Sequence, residues 1–222
     1  MADIASNINY LKQQIPTSVK LVAVSKTKPE SDILEAYNSG HKIFGENRVR
    51  ELFQKKNNLP SDIEWHMIGH LQGNKVKQIV SFVSLIHSAD SFRLLKTIGH
   101  EASRINRVVD CLLQIHIAQE ETKFGFSMDE IHEMLNSEEF GKLDFVRICG
   151  VMGMATFTDD SERIRKEFRS LAKYFSDLKR DYFAGKPEFR EISMGMSGDY
   201  QIAIGEGSTI VRIGSLIFGE RN

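Results

Sequence analysis

Apolar positions along the chain fall into short runs, separated by stretches in which apolar residues recur at helical spacing. The runs at 20–25, 42–45, 63–68, 85–88, 108–117, 146–152, 191–194 and 210–213 read as β-strands. Leu21-Val22-Ala23-Val24 is apolar on both faces, as in a parallel sheet covered on both sides. The intervening segments 31–39, 48–58, 73–82, 91–106, 128–135 and 161–178 read as helices, and Ile164, Phe168, Leu171 and Phe175 form one stripe along the last of them. Residues 3–14 form an extra amphipathic helix that ends before Pro16. Eight β units alternating with helices predict an α/β fold with a parallel sheet. A chain of 222 residues is near the lower size of a closed (β/α)8 TIM barrel. The expectation is therefore one barrel domain over residues 1–222 with an added N-terminal helix. An open doubly wound sheet is the structural rival, because periodicity does not encode closure.

Composition narrows the function classes. The chain is 41% hydrophobic and 27% charged, as in ordinary soluble globules. Its 29 Lys and Arg nearly balance 30 Asp and Glu, which argues against a nucleic-acid partner. Cys111 and Cys149 each sit in an apolar run and read as core thiols of a reducing compartment. Met1-Ala2-Asp3-Ile4-Ala5 lacks the basic and apolar regions of a secretory signal. No window approaches a membrane span. The expected location is the cytoplasm, with no membrane partner.

In a (β/α)8 barrel the chemistry gathers at the C-terminal ends of the strands. Lys26, Asn47, Gly69, Ser88, Met152, Ser197 and Gly214 all fall at or just after such ends. Lys26 follows a buried strand, where removing its charge from water is costly. Near the C-terminus, a strand ending in Ser193-Met194 enters Gly195-Met196-Ser197-Gly198, and a short helix follows at 199–204. The next strand, Ile210-Val211-Arg212-Ile213, opens into Gly214-Ser215. Two neighbouring strand ends with glycine and serine suit a phosphate. Arg212 lies on the face opposite Val211 and Ile213. Pointing inward it needs an acceptor such as a ring nitrogen or carboxylate; pointing outward it would pair with a surface acid.

Other motifs carry less. His66 and His70 have the i, i+4 spacing of zinc helices, but Gly69 and the preceding strand pattern argue against one helix, and the glutamate of H-E-x-x-H is missing. Gly69, Gly73 and Lys75 do not meet Walker spacing, and no G-x-S-x-G elbow occurs. Tyr200 either reaches the phosphate region or lies on a helix surface. Closure of the barrel would set Lys26 across the mouth from Gly214-Ser215. A lysine amine aimed at a phosphorylated carbonyl compound forms a Schiff base when it is partly neutral, a form favoured by desolvation and by nearby cations.

The segments AVSKTKP (23–29), FGENRV (44–49), WHMIGHLQGNK (65–75), ETKFGF (121–126), GVMGMAT (150–156), SMGMSGDYQIAI (193–204) and GSTIVRIGSLIFG (207–219) together carry a resemblance. The chain resembles the pyridoxal 5′-phosphate (PLP) homeostasis proteins, related to the barrel domain of alanine racemases. The resemblance implies that Lys26 holds PLP as a Schiff base. It implies phosphate contacts from Ser193 or Met194, Ser197, Gly214 and Ser215. Arg212 would face the pyridine nitrogen, and Asn47 and Ile68 would line the ring. A guanidinium stays protonated and has no acceptor, so it cannot stabilise a protonated ring, and the cofactor becomes a weaker electron sink. Racemases of this type add a second domain and a tyrosine base from the partner subunit, whereas this sequence runs to Asn222 directly after the barrel. The expectation is a monomeric PLP carrier in vitamin B6 homeostasis, with PLP-dependent apo-enzymes as partners. A weak amino-acid racemase is the alternative, and a barrel enzyme acting on a sugar phosphate through a lysine imine is a third reading.

Overall fold

The computed structural model describes residues 3–118 and 124–220; the first part of the ETKFGF segment lies outside the described residues. Helix α1 (Ile4–Gln14) precedes β1 (Lys20–Val24), followed by α2 (Glu30–Asn38), β2 (Ile43–Glu46), α3 (Val49–Asn58) and β3 (Glu64–Met67). A 3-10 segment at Gly73–Gln78 leads to β4 (Leu85–Ala89), α4 (Phe92–Ser103), β5 (Val109–Gln114) and α5 (Met128–Leu135). The chain continues through β6 (Val146–Met152), α6 (Ser161–Asp181), β7 (Glu191–Ser193), α7 (Tyr200–Gly205), β8 (Ile210–Ile213) and α8 (Ser215–Phe218).

The strands close into a barrel in chain order, with β1 paired to both β2 and β8. Every pairing is parallel, and the closing register sets Val22 beside Arg212 and Ala23 beside Ile213. Closure excludes the open sheet. The period of two then divides the core. Ala23, Phe44, Ile86, Val211 and Ile213 face outward into the layer shared with the helices. Val22, Leu85, Leu112, Cys149, Met152 and Ile210 fill the barrel. The α6 stripe is as expected: Ile164, Phe168 and Leu171 are buried, Phe175 packs against them, and the Asp160 carboxylate caps the helix by accepting from the N–H groups of Glu162 and Arg163.

Helix α1 buries Ile4, Ile8 and Leu11 against α2 and α8. Asn7 Nδ2 donates to Ile217 O at 3.0 Å, and the Ile4 N–H donates to Glu35 Oε1 at 3.0 Å. The added helix thus straps the first and last βα units together from outside.

Two local expectations change. The helix expected over 73–82 is a 3-10 segment ending at Gln78, in keeping with the low helix propensity of Gly73, Asn74, Val76 and Ile79. The Gly214-Ser215 turn continues into α8. Between β5 and β6 the register jumps, with Cys111 beside Ile148 and Leu112 beside Gly150. Gly150 sits at φ +150°, and a Cβ there would overlap the Glu191 carbonyl oxygen, so the bulge requires glycine. His66 lies in β3 and His70 beyond it, so no helix joins them; His70 Nδ1 is 2.8 Å from Asp90 Oδ2. Cys111 and Cys149 are buried and free. Burial, and then the Asp110 carboxylate, push the Cys149 thiol up to about 12. Among the described residues, no helix is long and apolar enough to cross a membrane.

Candidate functional site

A cavity of about 490 Å³ opens at the C-terminal mouth of the barrel, a volume suited to a small molecule. Lys26, Asn47 and Ile68 reach it from beyond β1, β2 and β3. Ser197, Gly214 and Ser215 reach it from beyond β7 and β8, and Arg212 from within β8. Ser193 and Met194, expected as phosphate contacts, do not line it: both are fully buried, Ser193 against Arg212 and Met194 in the outer core. Ser88 is buried inside β4, and Tyr200 is buried in α7 outside the lining. A second cavity of about 470 Å³ lies at the opposite mouth. Two ion pairs lie among the residues lining it, Lys20 with Glu191 at 2.7 Å and Arg147 with Asp110 at 2.6 Å.

The turn carrying Lys26 is held from both sides. Thr27 adopts φ +65°, a left-handed conformation that is costly for a β-branched residue. Its N–H donates to Glu51 Oε1 at 2.6 Å. On the other side, Ser25 Oγ donates to Glu46 Oε1 at 2.6 Å. Lys55 joins the two halves: its Nζ donates to Ser25 O at 2.8 Å, to Glu46 Oε1 at 2.8 Å and to Glu51 Oε1 at 2.6 Å. Among the described residues Glu46 Oε2 is buried without a hydrogen-bond partner, and burial raises the Glu46 carboxyl above its usual range despite Lys55. This clamp was not read from the sequence, although a signal exists: Lys55 follows Val49 and Leu52 along the buried stripe of α3.

The side of the cavity formed beyond β7 and β8 is built from small residues. Gly195 takes φ +94°, and a Cβ there would come within 2.6 Å of Ala203 Cβ, so only glycine lets α7 close on the loop. The Gly214 N–H donates to Ser197 Oγ at 3.3 Å, tying the ends of β7 and β8 together. A Cβ at Gly198 would meet no atom within 4 Å. Lys28 Nζ donates to the carbonyls of Phe218 at 2.9 Å and Glu220 at 3.1 Å, closing the end of α8.

Arg212 points inward and is 4% exposed. Its Nη1 donates to Ser193 O at 2.9 Å and Ser193 Oγ at 2.6 Å, and its Nη2 donates to Gly153 O at 3.1 Å. These bonds leave one Nη2 hydrogen and the Nε–H for another acceptor. All three acceptors are neutral, and among the described residues no carboxylate forms an ion pair with this guanidinium. Burial lowers its pKa to about 10, with Asp199 acting in the opposite direction. The strand end at Met152 was marked in the sequence, but the residues of the loop that follows β6 were not named: it brings Met154, Thr156, Phe157 and Asp159 to the cavity. Glu167 holds that loop by accepting from the Thr156 N–H at 2.6 Å and Oγ1 at 2.8 Å, while Phe157 stands 99% exposed at the rim.

The chain matches the family described as alanine racemase, N-terminal domain, over residues 1–222. The pyridoxal phosphate homeostasis protein of Aquifex aeolicus is 42% identical over 203 residues, covering 91% of this chain and 87% of that protein. The protein of the same name from Vibrio alginolyticus is 35% identical, covering 100% and 99%. PipY of Synechococcus elongatus, solved without PLP and with PLP bound, superposes with TM-scores of 0.91 and 0.88 at 33% identity, covering 97% of this chain and 100% of PipY. Alanine racemase of Clostridium difficile shares the fold, with a TM-score of 0.78 at 16% identity; this chain spans 99% of its own length but 56% of that protein. A closed barrel with a lysine, a buried arginine and a serine–glycine rim at one mouth, and relatives of this closeness over nearly full length, place the chain in the alanine racemase N-terminal domain family, among the pyridoxal phosphate homeostasis proteins.

Proposed function

We propose that this protein binds PLP at the C-terminal mouth, with Lys26 as its covalent attachment point, and holds and releases it in vitamin B6 homeostasis. The observation that carries the reading is that Lys26, Arg212, Ser197 and Gly214 line one cavity. The donor set fits the cofactor. Ser197, Gly198, Gly214 and Ser215 present hydroxyl and small-residue backbone to a phosphate, and the unused N–H groups of Arg212 suit a neutral pyridine nitrogen. When bound, PLP supplies a reactive aldehyde. Asn47 and Ile68 flank the ring, and the Lys55 clamp keeps the Lys26 backbone in place.

Carriage is favoured over turnover by the lining. Among the described residues it contains no tyrosine, histidine or cysteine, which leaves Lys28, Asp159 and Asp199 as the groups beside Lys26 that a racemase would need to use as its acid or base. An arginine facing the ring nitrogen also disfavours carbanion chemistry. The protein acts as a cytoplasmic monomer, and PLP-dependent apo-enzymes receive the cofactor.

The test is borohydride reduction of the PLP-loaded protein followed by peptide mass mapping. The expected adduct is on Lys26, and Lys26→Ala loses it while remaining folded. An adduct on Lys28 or Lys75 overturns the assignment. Incubation with single enantiomers of amino acids and chiral analysis addresses the racemase reading; sustained turnover abolished by Lys26→Ala would replace carriage.

A further inference from the structure

Inside the barrel, beneath Arg212, four side chains from four strands form one hydrogen-bonded chain. Arg212 Nη1 is 2.6 Å from Ser193 Oγ, His87 Nδ1 is 2.8 Å from the same oxygen, and His87 Nε2 is 2.9 Å from His66 Nδ1. All four residues are buried. His66 lines the cavity at the opposite mouth, so the chain runs along the barrel axis from one mouth to the other.

The donors and acceptors fix its direction. Arginine only donates, so Ser193 Oγ accepts from Arg212. Ser193 Oγ has no acceptor available among the described residues other than His87 Nδ1, so His87 Nδ1 must be unprotonated for the hydroxyl hydrogen to be satisfied. His87 is then the Nε2–H tautomer and donates to His66 Nδ1, which makes His66 the Nε2–H tautomer as well. The reverse order leaves the serine hydrogen buried without a partner. Burial, the proximity of the two rings, Arg212 and Lys20 all favour neutral imidazoles here.

We infer that His87 and Ser193 are positioning residues for Arg212, and that the directional chain His66–His87–Ser193–Arg212 sets the plane in which the guanidinium meets a ligand. The inference rests on the reading of the cavity as a PLP site, and it assigns Ser193 a place behind Arg212 instead of on the phosphate. The remaining Arg212 bonds go to backbone carbonyls of Ser193 and Gly153, which hold the group in place; the serine hydroxyl adds a bond whose direction depends on His87. Without His87, Ser193 Oγ loses its acceptor, rotates, and competes for the carbonyls that Arg212 uses.

The test has two arms. In the first, long-range ¹⁵N–¹H correlation spectra of the histidine rings are recorded on the full-length protein without PLP at pH 7. His66 and His87 are expected as neutral Nε2–H tautomers; a protonated Nδ1 on His87 overturns the chain. In the second, PLP is titrated into wild type, Ser193→Ala, His87→Leu and His87→Gln, following the absorption band of the bound cofactor. Ser193→Ala and His87→Leu should bind about tenfold more weakly with a displaced band. His87→Gln, whose carbonyl can accept the serine hydrogen, should recover most of both. Wild type that binds no PLP defeats the reading of the site. Wild-type binding matched in affinity and band by both Ser193→Ala and His87→Leu defeats the relay alone. Variants that do not fold leave the tautomer spectra of wild type to decide.

Discussion

Lys55 Nζ donates to Glu46 Oε1 across 2.8 Å, with the two side chains 6% and 0% exposed. An ion pair this deep adds little net stability over an apolar pair, because both charges lose their hydration. Breaking it is another matter. Lys55→Ala leaves the Glu46 carboxylate uncompensated and frees the carbonyl of Ser25, next to Lys26. Urea denaturation should show a loss of about 3–5 kcal/mol. Adding Glu46→Gln should restore part of it, because the neutral amide needs no counter-charge. A Lys55→Ala variant as stable as wild type would mean that the clamp is slack.

Gly198 separates binding from folding. A Cβ there meets no protein atom within 4 Å, and the residue lines the upper cavity. Gly198→Val should leave the urea midpoint nearly unchanged. Its added bulk takes space from the phosphate, so PLP affinity should fall about tenfold or more, equivalent to at least ~1.4 kcal/mol. Unaltered affinity, read by spectroscopic titration, would move the phosphate away from this loop.

Three buried histidines make the fold acid-sensitive. Burial holds His41 at about 4 and His66 at about 3, and His87 well below its ordinary value. Unfolded imidazoles titrate near 6.5, so between that pH and about 4 the unfolded chain binds more protons than the folded one. Stability therefore rises with pH through this window and is lost as pH falls through it. At pH 5 each histidine costs about 2 kcal/mol relative to neutral pH. The raised Glu46 carboxyl acts in the opposite sense, favouring the folded state on acidification. Urea midpoints collected from pH 7 to 4.5 should fall steeply, and His41→Gln should reduce the slope by close to one proton. A flat profile would mean that these imidazoles are charged or hydrated in the folded protein.

Much of the site was legible because strand ends are local features. Lys26, Asn47, Ser197, Gly214 and Ser215 were placed by where apolar runs stop, Ile68 was placed by the resemblance, and all six reach one cavity. Arg212 was placed by alternation on the face opposite Val211 and Ile213, with its direction left open until the barrel closed. Ser193 shows the limit. It ends a strand as expected, but alternation turns it into the barrel, where Arg212 and His87 claim its hydroxyl.

By itself the sequence determined the order of strands and helices, the apolar stripe of each and the residues at the strand ends, because periodicity and turn chemistry act over a few neighbouring positions. Only the tertiary structure decided that the sheet closes, that Val22 lies beside Arg212, that Lys55 clamps the Lys26 turn, and that His87 reaches Ser193 from 106 positions away in the chain. The last two pair buried polar groups that lie far apart in the chain. Each is set by the need to satisfy a donor or acceptor removed from water, and no local pattern records which distant residue will satisfy it.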